Sequence, residues 1–278
     1  MLMENVKEYV EKFTTFGDPV DFKGLKIKPI TVRDAEKFLD AVGIFKIEKN
    51  KIPSIEVIQM SYLEFLIGML AMDEDYRDAF LWLIQTTLGM EYNDANKMDG
   101  DTYAPNELLA QVISDGNAFY YINGWDLEVI IKKGRASIRL MDATLNASEF
   151  DTFRKIILFQ NIDGYDDTEM SDDFRRVVEQ YYALKFKGVH DPTLEEKMMA
   201  VMVSTSYTLD SLAKMPYRTF DKLFDCSIKK VDYMATKMLE PHLKEGHSID
   251  HWVFYPERDK YANIFGDAQE LAKKVTSI

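Results

Sequence analysis

The sequence predicts an α+β fold, predominantly α-helical, with a small antiparallel β-meander and one additional strand near the C-terminus. Three observations predict it. Between Phe119 and Asp142, the stretch FYYINGWDLEVIIKKGRASIRLMD places Asn123-Gly124 and Lys133-Gly134 between three runs rich in Ile, Val, Tyr and Phe. That is the pattern of adjacent strands joined by tight turns, and Asn-Gly favours the type I′ turn, in which both central residues need positive φ. Outside this stretch, apolar residues recur at three- and four-residue spacing in many segments, as amphipathic helices require. Near the end, HWVFY (His251–Tyr255) reads as a short buried strand that could join the edge of the meander.

In chain order, residues 1–16 read as a short helix with Val6, Val10 and Phe13 on one face. DFKGLKIKPIT alternates Leu25 and Ile27 with lysines and reads as a strand stopped by Pro29. Thr31 is expected to cap a helix whose apolar face is Ala35, Phe38, Leu39 and Val42, with Gly43 as its stop. Residues 44–53 read as loop or short strand, and a long helix is expected from Ser54 through Leu70. Asp73 or Asp75 starts the next helix, which reaches Leu88 and stops at Gly89. Together the two read as a helical hairpin. Leu108–Ile113 is a short apolar run.

After the meander, Asn146 or Ser148 caps a helix over Ala147–Asn161. Further helices are expected over Asp172–Phe186, Met198–Tyr207, Leu209–Met215, Tyr217–Leu239 and Asp267–Val275, with Asp191-Pro192-Thr193 opening the second of these. Three regions follow: residues 1–92 as an N-terminal helical region, 93–106 as a polar linker or loop, and 107–278 as an α+β region with the meander and C-terminal helices.

With 278 residues and 46% hydrophobic content the chain can bury a substantial core. Its formal charge of −13 repels phosphate backbones and anionic lipid surfaces, so neither nucleic acid nor membrane is an expected partner. Lys132-Lys133-Gly134-Arg135 and Lys229-Lys230 are small basic spots that read as a hairpin tip and a helix surface. A single cysteine, Cys226, allows no intramolecular disulfide and suits a reducing compartment. The N-terminus lacks the basic and apolar regions of a signal peptide, and a soluble protein made in the cytoplasm is expected.

Motifs for chemistry are sparse. No phosphate-binding loop, dinucleotide fingerprint or nucleophile elbow occurs. His242, His247 and His251 fall close together and invite a metal-site reading, weighed against a surface turn leading into a core strand. Acidic pairs such as Asp73/Asp75 and Asp166/Asp167 read as solvated helix caps, and NIDGYDD lacks the ligand spacing of a calcium loop. No catalytic, cofactor-binding or metal-ligating residue is assigned. Aromatic and Met residues are abundant, and such side chains dominate protein–protein contacts when exposed. Phe119, Tyr121, Trp125, Trp252 and Tyr255 are the expected contact residues.

Several segments resemble tail proteins of large tailed phages of Gram-positive bacteria. They are LKIKPITVRDAEKFLDAV, KNKIPSIEVIQMSYLEFL, NGWDLEVIIKKGRASIRLMDATLNASEFDTFRKIILFQNIDGYDD, DPTLEEKMMAVMVSTS and IDHWVFYPERDKY. The resemblance covers most of the chain after about residue 20. It implies a structural or assembly protein of the tail or baseplate, not an enzyme, that binds other tail or baseplate proteins, self-association within the assembly included. It also implies residence in the host cytoplasm during assembly, and in the virion tail if the protein is a structural component. Two alternatives stand beside it: a non-virion assembly chaperone for the tape-measure protein, and a metal-dependent enzyme using His242, His247 and His251.

Overall fold

The computed structural model describes residues 6–49, 52–97, 103–113, 117–132, 135–165, 176–177, 180, 191–239 and 251–253. The fold is α+β. The chain forms two compact units, Met1–Tyr165 with Thr208–Lys222, and Asp166–Tyr207 with Leu223–Ile278. The N-terminal helices and the meander therefore share one unit.

That unit opens with helix α1 (Val6–Thr14), which buries Val10, and a hairpin of β1 (Val20–Phe22) and β2 (Leu25–Ile27). Lys23 and Gly24 have φ of 58° and 85°, so the positive-φ pair of a type I′ turn stands here. The Leu25–Ile27 strand was legible from its alternation, whereas its partner β1 was not. Thr31 does not cap in the expected way. Its hydroxyl donates to the Asp34 carboxylate at 2.8 Å, and a 3₁₀ turn (Val32–Asp34) precedes α2 (Ala35–Ala41). Leu39 is 45% exposed, because the buried face of so short a helix is filled by Ala35, Phe38 and Ala41.

Gly43 is not a stop. Val42 keeps right-handed φ/ψ, Gly43 has no positive φ, and α3 (Gly43–Lys46) follows directly, burying Ile44 and Phe45. The long helix expected from Ser54 is two: α4 (Ile55–Gln59) and α5 (Tyr62–Met72). Ser61 breaks it by capping. Its hydroxyl accepts from the Glu64 amide while the Glu64 carboxylate accepts from the Ser61 amide, which satisfies two orphan donors at once. Met60 is extended and Ile58 is exposed as a result. Asp73 caps α6 (Glu74–Leu88), and Gly89 ends it in the left-handed region at φ 73°.

The second sheet has five antiparallel strands in sequential order: β3 (Leu108–Ile113), β4 (Asn117–Ile122), β5 (Leu127–Lys132), β6 (Arg135–Leu140) and β7 (Ala143–Asn146). The expected three-strand meander is its centre. Asn123-Gly124 does not form a type I′ turn. Only Gly124 has positive φ (87°), the Trp125 amide donates to the Ile122 carbonyl at 3.0 Å, and four residues connect β4 to β5. This is the type II pattern. Asn123 is held elsewhere: its amide donates to the Glu107 carbonyl at 2.9 Å and its buried carboxamide donates to the carbonyls of Tyr103 and Ala104.

Helix α7 (Ala147–Asn161) is the central element, packed against α1, α5 and strands β6 and β7. Asn146 and Glu149 form its capping box, and Phe150, Phe153, Ile156 and Ile157 are fully buried. At its C-terminal end the buried Asn161 carboxamide accepts from the Ile30 amide at 2.7 Å and donates to the Ile157 carbonyl at 2.8 Å. Gln160 donates to the Ile27 carbonyl at 3.1 Å. Later chain closes over this end. Beyond α8 (Leu194–Ser204) of the second unit, helix α9 (Leu209–Ala213) leads to an antiparallel bridge of Pro216 with Thr31, and then to α10 (Tyr217–Leu239). Val32 donates to the Met215 carbonyl and Tyr217 to the Ile30 carbonyl. Gly17, at φ 74°, leaves room for Pro216, whose Cγ would lie 2.4 Å from an added Cβ. Arg218, 6% exposed, donates to the Phe159 carbonyl at 2.7 Å and pairs with Asp163 and Glu11.

In the second unit, Thr193 and Glu196 form the capping box of α8, Val201 is buried, and the Lys197 ammonium lies 5.3 Å from the centre of the Phe224 ring. Its helix α10 residues are Leu223–Leu239. The expected strand at 251–255 is described only for His251–Val253, which form a bend. There the Val253 amide donates to His251 Nδ1 at 3.2 Å, a local bond that turns the chain instead of extending it. Phe254 and Tyr255 lie outside the described residues, as does the helix expected over 267–275. Of that expected over 172–186, only Arg176, Val177 and Gln180 are described, and they are helical.

Two outcomes follow from this packing. Asn161→Leu leaves the buried Ile30 amide without its acceptor, so urea unfolding should show a loss of about 1–3 kcal/mol with an unchanged slope. Tyr62, whose hydroxyl donates to the Ile44 carbonyl, has its phenol pushed up to about 12 by burial, against the opposing pull of the Arg154 guanidinium. The unfolded phenol loses its proton near 10 while the folded one keeps it. The stabilisation is thus complete below pH 10 and is lost as pH rises toward 12, by about 2–3 kcal/mol. The difference in unfolding free energy between wild type and Tyr62→Phe should be constant below pH 10 and shift against wild type by about 2–3 kcal/mol between pH 10 and 12.

Candidate functional site

The five-stranded sheet buries one face and leaves the other partly open. Ile122, Leu127, Val129, Ala136, Ile138 and Leu140 point to the core. Strand alternation then puts Phe119, Tyr121, Glu128, Ile130 and Arg139 on the opposite face. Register aligns them in two cross-strand rows. One runs Leu109, Tyr121, Glu128, Arg139, Thr144, and the other Gln111, Phe119, Ile130, Ser137, Asn146. Phe119, Tyr121, Leu109 and Ile130 are half-buried. The Lys132 ammonium sits 5.6 Å from the Phe119 ring centre. Arg139 pairs with Asp126 at 2.5 Å and Glu128 at 3.3 Å, which holds its guanidinium between two carboxylates. Burial, and then the adjacent Glu128 carboxylate, push the Tyr121 phenol up. The result is an apolar aromatic patch with a charged border, a composition suited to protein contact.

Trp125 does not share this face. It is 8% exposed, its Nε1 donates to Asn106 Oδ1 at 2.7 Å, and its ring meets Tyr92 edge-on at 6.3 Å. Gly124 carries the close approach, since a Cβ there would lie 2.0 Å from the Tyr92 ring. One edge of Trp125 borders an open groove of about 900 Å³ between α2, α3 and α6. Ala41, Ile44 and Leu81 form its floor. Trp82, with the Lys37 ammonium 5.4 Å from its ring, is one wall, and Asp40, Asp75 and Asp78 are acidic lining. This groove had no sequence signal, because its residues come from four separated segments.

The remaining expected residues lie in the second unit. Trp252 is half-buried, its ring 6.1 Å from that of His251, which also lies 5.1 Å from Tyr233. Tyr255, His242 and His247 lie outside the described residues. Among the described residues no group of three His, Cys, Asp or Glu side chains could hold a metal ion, and no helix is long and apolar enough to cross a membrane. Among the methionines, Met199, Met234 and Met238 of this unit are exposed. No protein-family model, curated protein or solved structure matches this chain.

Gly124 and Gly24 provide a controlled comparison. Both have φ near +86°, at 87° and 85°, but only Gly124 faces a ring, with nothing within 4 Å of Gly24. Alanine at either position carries backbone strain of about 1–2 kcal/mol. Gly124→Ala should therefore lower the melting temperature more than Gly24→Ala, and it alone should shift the tryptophan emission as Tyr92 and Trp125 part.

Proposed function

We propose that this protein is a structural or assembly component of a phage tail, placed at the baseplate, that works by binding other tail proteins. Two supports converge. The sequence segments quoted above resemble tail proteins over most of the chain. The open sheet face gathers Phe119 and Tyr121 with Leu109 and Ile130 inside a rim of Lys132 and Arg139. The sheet face carries the reading: an open aromatic surface across adjacent strands serves docking better than it serves enclosure of a small molecule. Assembly would take place in the host cytoplasm. A chaperone that leaves before the particle matures uses the same kind of surface, so the two versions differ in where the protein ends up.

Quantitative mass spectrometry of purified particles and of infected-cell lysate tests this. A baseplate component should appear in both at a fixed ratio to other tail proteins. Presence in lysate alone would replace it with the chaperone version. Phe119→Ala combined with Tyr121→Ala should leave the fold intact by circular dichroism and reduce co-purification of tail proteins at least about tenfold, the loss expected of removing hot-spot aromatics. Unchanged recovery would reject this face as the docking surface.

A further inference from the structure

Helix α10 carries one apolar stripe that is covered in its first half and bare in its second. Tyr217, Phe220, Phe224 and Ser227 recur at three- and four-residue spacing and are buried. The same spacing continues through Val231, Met234 and Met238, with Ile228 alongside, and there the side chains are 59%, 50%, 74% and 50% exposed. At 3.6 residues per turn these four share one face of the helix. The two edges of that face are charged differently. Lys230 and Lys237, seven residues apart, follow one edge, and Asp225 and Asp232, also seven apart, follow the other.

We infer that this stripe is a self-association seam that pairs with the same stripe of a second copy, the two α10 helices running parallel. Charge decides between occupants and between orientations. In a parallel pair related by a two-fold axis along the helices, the lysine edge of each copy lies beside the aspartate edge of the other. In an antiparallel pair, like edges meet. A face with a basic and an acidic border is thus complementary to itself in the parallel arrangement only, and a second copy supplies both the matching borders and the matching apolar ridge. The seam from Ile228 to Leu239 spans about 18 Å at about 1.5 Å per residue, which places the interface at the small end of specific contacts and makes pairing concentration-dependent. This inference stands apart from the phage-tail reading, since it concerns only how the chain meets itself.

Sedimentation velocity of the full-length chain over a roughly hundredfold concentration range should show mass rising from monomer to dimer. Val231→Lys or Met238→Lys, both at exposed positions, should leave the melting curve in place and raise the dissociation constant at least about tenfold. Lys230→Glu with Lys237→Glu places acid on both edges and should weaken pairing. Adding Asp225→Lys and Asp232→Lys in the same chain inverts both edges and should restore it, a rescue that a merely structural role of these charges would not produce. A strict monomer at the highest concentration overturns the proposal and leaves the stripe to the chain's own C-terminal residues or to an unlike partner. A dimer indifferent to Val231→Lys overturns it as well, and failure of the charge inversion to rescue overturns the parallel pairing.

Discussion

The first unit depends on how the C-terminal end of α7 is satisfied. Three consecutive residues there, Phe159, Gln160 and Asn161, bind chain that is far away in sequence. Asn161 takes the Ile30 amide, Gln160 gives to the Ile27 and Asp18 carbonyls, and Phe159 receives the Arg218 guanidinium. Ile27, Ile30 and Arg218 are buried, and a buried polar group without a partner costs more than a satisfied one contributes. The hairpin of β1 and β2, the entry to α2 and the start of α10 are therefore held in register by one helix end. The sheet hangs on the same helix through β6 and β7, so the position of the open aromatic face is fixed at second hand.

Local signals were legible where one residue decides the outcome. The α7 boundaries, the Asp73 start and Gly89 stop of α6, and the extent of α10 were all readable, because caps and a left-handed glycine act within one turn. Local signals misled where two residues competed. Ser61 ends the apparent long helix because Glu64 stands three residues on, and the apolar run across it concealed the break. Gly43 had the identity of a terminator but sits in right-handed backbone and continues the chain into α3.

The turns make the same point in reverse. Asn123-Gly124 has the composition of a type I′ turn, yet the Asn123 side chain is claimed by Tyr103 and Ala104, so tertiary bonds override the local preference. The mirror-type turn is formed by Lys23-Gly24, where the ammonium of the first residue pairs with Glu149 at 2.6 Å without displacing the turn. Of the residues expected to form contacts, Phe119 and Tyr121 do come together on an open face, because two-residue alternation is a local rule. Trp125 looked equivalent by composition, but it lies beyond the strand end and turns inward to Asn106. Which aromatics face out could be read within a strand and not past its last residue.

Gly17 and Pro216 carry a consequence for how the molecule is made. The missing side chain at Gly17 is filled by a proline ring nearly two hundred positions later, and the backbone groups of Ile30 and Val32 wait for Tyr217 and Met215. During synthesis the N-terminal hairpin emerges long before those partners exist, and contacts of such sequence separation form slowly. The β1–β2 hairpin can close on itself, but Gly17, Ile30 and Val32 gain these partners only after residues 215–217 have been made, and only then can Arg218 pair with Glu11 of α1.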